Sequence, residues 1–128
     1  MSERIEPGAI GTTRWVIPEG YIPGKSTGPA PEMNSHETAC ILNSGDRPAQ
    51  IQVVVYFADR EPLGPFKLEV QGRRTLHLRF NDLGDGAIPL DTDFASVLLS
   101  DVPVVVQHTR LDSRQSENAL LSTMAYPG

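Results

Sequence analysis

The chain has 128 residues, 11 Lys+Arg against 16 Asp+Glu for a formal net charge of -5, and one cysteine. That length holds one hydrophobic core but not two, and the charge has the wrong sign for a nucleic-acid binder, which needs a basic surface to neutralise phosphate. Lone Cys40 excludes an internal disulfide framework and a cysteine-based zinc site, while 11 glycines and 11 prolines punctuate the chain too densely for a helix bundle.

Met1–Gly11 lacks the apolar centre and small-residue cleavage site of a signal peptide. Thr13–Pro18 alternates as a short first strand, Arg14 and Val16 opposed to Trp15 and Ile17. Gly20–Asn34 is rich in Pro and Gly and reads as a long loop, a kind of segment that is often functional. His36–Asn43 resumes strand character, with Cys40 among Ala39, Ile41 and Leu42 as a buried, inert thiol. Ser44-Gly45-Asp46 is a turn signal.

Gln50–Ala58 sets Ile51, Val53, Val55 and Phe57 on one face. Val54 and Tyr56 lie opposite beside the glutamines, a mixed face that suits partial cover by another subunit. Phe66, Leu68 and Val70 alternate with Lys67 and Glu69, and the two-residue link Gln71-Gly72 predicts a tight hairpin into Arg73–Phe80. There Leu76, Leu78 and Phe80 are the apolar face. Asn81–Thr92 is a second long loop; Asp93–Ser100 and Pro103–Arg110 follow as two strands joined at Asp101-Val102. Leu111–Asn118 is polar and compatible with a turn or two of helix, and Ala119–Tyr126 closes the domain as a last strand. The longest apolar runs, Val53–Phe57 and Val102–Val106, fall far short of the ~20 residues that cross a bilayer. The class is therefore all-β: a two-sheet antiparallel β-sandwich of about eight strands with two long loops, in a reducing, cytoplasmic compartment.

Three histidines, His36, His77 and His108, raise the possibility of a metal-dependent β-barrel enzyme. Neighbours on a strand point to opposite faces, so His36 and Glu37 cannot share one interior site without a bulge. The ordinary reading is three histidines making routine hydrogen bonds, with no metal. Asn81, Asp82, Asp85, Asp91 and Asp93 offer oxygens for calcium, but Asp and Asn also favour turns on their own account and no EF-hand spacing is present. Gly-x-Ser-x-Gly and Walker-type loops are absent, and no carboxylates pair recognisably for acid–base work, so neither catalysis nor a cofactor is expected. The most informative stretch is Gln107–Gln115, QHTRLDSRQ, where His108, Arg110, Asp112 and Arg114 suit recognition of an anion or a hydroxyl array. The same residues also suit an Arg–Asp network at a chain crossing or subunit interface. Trp15, Glu19 and Tyr21 in WVIPEGY form an aromatic-plus-acid cluster that can stack on a sugar, although a sole Trp is more often a core anchor.

The blocks WVIPEGYIP, SHETACILNSGD, YFADREPLGPF, RRTLHLRFNDLGD and DTDFASVLLSDVPVVVQHTRLDSRQSENALLSTMAY resemble the sensory rhodopsin transducer family from about Thr13 to Tyr126. Residues 1–12 then form a variable N-terminal segment ahead of a transducer-like domain at 13–128. The resemblance implies a small β-sandwich assembled as a homo-oligomer, typically a tetramer, acting in signal transduction without catalysis. It also implies docking on the cytoplasmic face of a sensory-rhodopsin-type membrane receptor. The alternative it carries is a small-molecule sensor for a carbohydrate or anion. The candidate ligand-binding residues are Trp15, Glu19, Tyr21, His36, Glu37, His108, Arg110, Asp112 and Arg114.

Overall fold

The computed structural model describes residues 4–128; the first three residues of the expected variable segment lie outside the described residues. Eight strands follow in order: β1 (Thr12–Tyr21), β2 (His36–Asn43), β3 (Ala49–Phe57), β4 (Leu63–Val70), β5 (Arg74–Arg79), β6 (Asp93–Asp112), β7 (Ala119–Met124) and β8 (Tyr126–Pro127). Every pairing is antiparallel. The first sheet has the order β4-β3-β6-β1-β8. The second is built around the far half of β6, which lies between β2 and β7, with β5 outside β2. Both sheets keep open edges, so the fold is a sandwich and not a closed barrel.

The two strands expected at 93–100 and 103–110 are one strand of 20 residues. Phe94–Ser100 pairs with β3 in the first sheet, and Val105–Leu111 pairs with β2 in the second. Pro103 cannot donate to a ladder, but it sits where the strand leaves one sheet for the other and has no ladder partner there. Proline therefore marks a change of sheet rather than a break.

The hairpin expected at Gln71-Gly72 is a crossover. β4 pairs with β3 in the first sheet and β5 with β2 in the second, so the link passes between layers. It is pinned there by Arg73 N–H donating to Gly45 O at 2.9 Å. A Cβ on Gly72 would stand 2.1 Å from the backbone oxygen of Asp46, so only glycine fits the crossing. Leu111–Asn118 holds no helix: Leu111 and Asp112 finish β6, and the rest is a series of bends.

The expected inward faces meet in the core. Ile51, Val53 and Val55 of β3, Ile41 of β2, Leu98, Val104 and Val106 of β6 and Trp15 and Ile17 of β1 are all buried. Each such side chain contributes about 1.5–3 kcal/mol by leaving water. Phe80 and Phe94 meet edge to face with ring centroids 5.7 Å apart. Cys40 departs from expectation: it is only half-buried, on the outer face of the second sheet in a shallow groove with His77, Val105 and Met124. The period of two that buries Ala39 and Ile41 turns Cys40 outward.

Candidate functional site

The one buried charged side chain among the described residues is Glu37, fully enclosed on the inner face of β2. Register explains its company. Glu37 lies directly opposite Arg110 on β6, and Ala39 opposite His108, so the alternating inner face of β6 brings the guanidinium and the imidazole to one carboxyl group. Arg110 donates from Nε and from Nη2 to Glu37 Oε2, each at 2.9 Å. His108 Nε2 hydrogen-bonds the other oxygen, Oε1. β1 supplies a further donor: its register shifts between Ile17 and Gly20, and beyond that irregularity Tyr21 N–H donates to Glu37 Oε2 at 2.5 Å. The same irregularity carries Glu19 out over Arg110, 3.5 Å from Nη1.

Beside this cluster lies a pocket of about 270 Å³ lined by Pro18, Glu19, His108, Arg110, Leu121 and Thr123. Leu121 and Thr123 are the β7 residues paired across from Arg110 and His108, so two strands of one sheet form its floor. Arg110 keeps about a fifth of its side chain exposed there, while Glu37 below keeps none. A wider groove of about 480 Å³ runs past Glu19, Gly20, Tyr56, Phe57 and Asp93 on the neighbouring surface.

The nine residues expected at one site are divided among several places. Glu19, Glu37, His108 and Arg110 come together. Trp15 does not: it is buried in the core, its Nε1–H donating to Val104 O at 2.9 Å and Thr12 O at 3.2 Å. Tyr21 contributes only its backbone N–H, and its hydroxyl turns to Asp91 Oδ1 at 3.3 Å. Burial, followed by the Asp91 charge and hydrogen bond, raises the Tyr21 pKa above the ordinary tyrosine value. His36 faces the other way from Glu37, its Nδ1 against Asn34 O at 2.7 Å. Asp112 and Arg114 pair with each other, Nη2 to Oδ2 at 2.6 Å, beside Lys25 and Glu117. The guanidinium hydrogen bond holds Asp112 below the usual carboxylate range, and the carboxylate raises Arg114 in turn.

Of the acidic loop residues, Asp91 Oδ1 accepts from Gly24 N–H at 2.9 Å, and Asn81 bridges Ser35 O and Glu37 N–H. They tie the two long loops together. Among the described residues no group of three or more His, Cys, Asp or Glu is placed to hold a metal ion. Pro18, Leu121 and Thr123 were not among the expected site residues. The signal for the last two is cross-strand: they face whatever His108 and Arg110 face, which is readable only once β7 is known to pair with β6.

A family profile described as Anabaena sensory rhodopsin transducer matches residues 10–127. The chain belongs to that family. Two solved structures show the same fold. One, titled Anabaena sensory rhodopsin transducer, is 59% identical, with a TM-score of 0.71 over 80% of this chain and 98% of that one. A crystal structure of a Thermotoga maritima protein is 36% identical, with a TM-score of 0.83 over 92% of this chain and 96% of that one. No curated protein sequence matches the chain. In this member of the transducer family the matched span takes in all eight strands and every residue of the Glu37 cluster. No described helix is long and apolar enough to cross a membrane.

Proposed function

We propose that the chain is a soluble signalling transducer without catalytic activity, relaying the state of a sensory-rhodopsin-type membrane receptor from the cytoplasm as a homo-oligomer, a tetramer. The observation that carries this is membership of the transducer family over residues 10–127. The charged cluster is consistent with it, because its groups are spent on one another: Glu37 takes three donors besides His108, and Arg110 is held by two carboxylates. The test is titration of the purified chain against the receptor in lipid nanodiscs, in darkness and under illumination. Saturable binding that changes with light is expected; no binding at about 100 μM, the range of weak signalling contacts, overturns the reading.

The pocket beside Arg110 favours a second role, binding a small molecule. The Glu37 and Glu19 contacts leave Arg110 little free charge, and Pro18, Leu121 and Thr123 supply apolar surface. That suits a neutral, hydroxyl-bearing ligand such as a carbohydrate better than a free anion. Thermal-shift screening of sugars and polyols beside phosphate and sulfate tests this, since ligand at 100 times Kd stabilises by about 2.7 kcal/mol. Stabilisation by a sugar, lost in a pocket-filling Leu121→Trp variant, is expected. A flat response across the sugars ends the proposal.

A further inference from the structure

We propose that the outer face of the second sheet carries a site for a soft monovalent metal ion, Cu(I), held by the Cys40 thiolate, a His77 ring nitrogen and the Met124 thioether. The site lies on the opposite face of the sheet from the Arg110 pocket and is independent of the transducer role. Register assembles its residues. Cys40 on β2 stands opposite His77 on β5 and, across its other edge, opposite Gln107 on β6; Gln107 in turn stands opposite Met124 on β7. Residues opposite one another share a face, so His77, Cys40, Gln107 and Met124 form one row across four strands. Thr75, Leu42 and Val105 form the next row. The two rows together floor a groove of about 230 Å³.

The donors select the ion. Two polar side chains of the groove are already engaged: the Thr75 hydroxyl donates to Ile41 O at 3.1 Å, and the Gln107 amide donates to the Ser122 hydroxyl. The groove's other heteroatom side chains are a thiol, an imidazole and a thioether. Thiolate and thioether sulfur favour Cu(I), whereas calcium and magnesium need oxygen and the groove is lined by no carboxylate. Leu42 and Val105 make the floor apolar, so an ion whose single charge one thiolate cancels suits it better than a divalent ion left with charge to solvate. Cross-strand Cβ separations of about 4.5–5.5 Å put Cys40 and His77 in reach of one ion, given the bond lengths of about 2.0–2.3 Å that such ligands make to zinc. Met124 lies one strand spacing of about 4.8 Å beyond Gln107, a step its unbranched side chain spans. Binding releases the Cys40 proton to solvent and leaves the oxidation state of the ion unchanged. Among the described residues no metal-holding group is drawn from His, Cys, Asp and Glu alone, which agrees with a set whose third ligand is methionine.

The test is anaerobic titration of the reduced full chain with Cu(I) held by bicinchoninate, whose coloured complex bleaches as the protein takes the metal. Stoichiometric transfer to the wild-type chain is expected, with none to Cys40→Ser. His77→Asn and Met124→Leu should each weaken binding roughly tenfold or more, since even the outer partners of metal ligands cost that much when removed. His36→Asn and Met33→Leu, changed away from this groove, should bind as the wild type does. X-ray absorption at the copper edge should find sulfur and nitrogen neighbours, with the sulfur count halved in Met124→Leu. Wild-type protein that leaves the copper with the chelator overturns the site, as does binding that survives Cys40→Ser. Binding that needs Cys40 yet ignores both His77→Asn and Met124→Leu is the work of a thiol alone and overturns it equally. Should Cys40→Ser misfold, the sulfur count decides by itself: a count unchanged in Met124→Leu refutes the proposal.

Discussion

Arg110 grips a single oxygen of Glu37 through two nitrogens, Nε and Nη2, both at 2.9 Å, across a strand pair in which the two residues stand opposite each other. Because Glu37 is fully buried, this contact is a condition of keeping a carboxylate inside the sandwich at all. Removing one partner strands the other. Arg110→Ala is expected to destabilise by about 3 kcal/mol, the lower end for a broken buried pair because His108 and the Tyr21 N–H remain. Adding Glu37→Leu to Arg110→Met should recover most of that loss. Urea unfolding of the three variants checks both; equal losses in the single and double variants refute the pairing.

Ser96 gives the opposite case. Its hydroxyl is fully buried on β6 and is the sole buried side-chain polar atom among the described residues without a hydrogen-bond partner. Deleting an unsatisfied buried hydroxyl recovers its desolvation cost of ~1–3 kcal/mol less whatever packing the oxygen provides. Ser96→Ala is therefore expected to be neutral or stabilising by about 1 kcal/mol, measured as a shift in the urea midpoint at constant slope.

Asp112 sets an acid-side signature. Its folded pKa is depressed, chiefly by the Arg114 hydrogen bond, so the stabilisation is present above the unfolded carboxylate pKa and is lost as pH falls through the lower folded value. Arg114→Ala should raise the Asp112 midpoint toward the ordinary range in a carbon-13 carboxyl titration. The gap between wild-type and variant stability should close below both midpoints. A midpoint unmoved by the substitution refutes the assignment.

Tyr21 behaves as the alkaline counterpart. Burial first, and the Asp91 charge and hydrogen bond second, favour its neutral phenol, so that contribution is full below the unfolded tyrosine pKa and lost as pH rises through the folded one. In an ultraviolet titration Asp91→Asn should lower the Tyr21 midpoint part of the way, leaving the share due to burial. A complete return to the ordinary value would show that burial plays no part.

Trp15 is the sole tryptophan and lies in the core with its N–H satisfied. Its emission should be that of a buried indole, and no sugar bound beside Arg110 should quench it. Quenching at saturating sugar would return Trp15 to the binding site.

The alternation of apolar and polar residues made the strands and their inward faces readable, because burial of one sheet face imposes a period of two. Sheet membership was not readable. Nothing local at Gln71-Gly72 distinguishes a hairpin from a crossover, and the proof is Gly72 packed on a backbone oxygen 26 residues earlier, at Asp46. The join expected at Asp101-Val102 fails for a similar reason, since a strand that changes sheets has a point where no ladder needs an N–H from Pro103. The site was half legible. Glu37, His108 and Arg110 could be nominated as polar residues on strands, but their union depends on register, and Trp15 and His36 were grouped with them by chain proximity although each faces elsewhere.

That β6 belongs to both layers bears on how the chain is made. β1, β2, β3 and β7 all hydrogen-bond to it, so the first three emerge during synthesis before their principal partner exists. Loop closure between Trp15 and Leu98 must precede the reward of pairing them, which places this chain among slow-folding, high-contact-order topologies. Neither layer can assemble as an autonomous unit, and a single proteolytic nick in β6 would dismantle both at once.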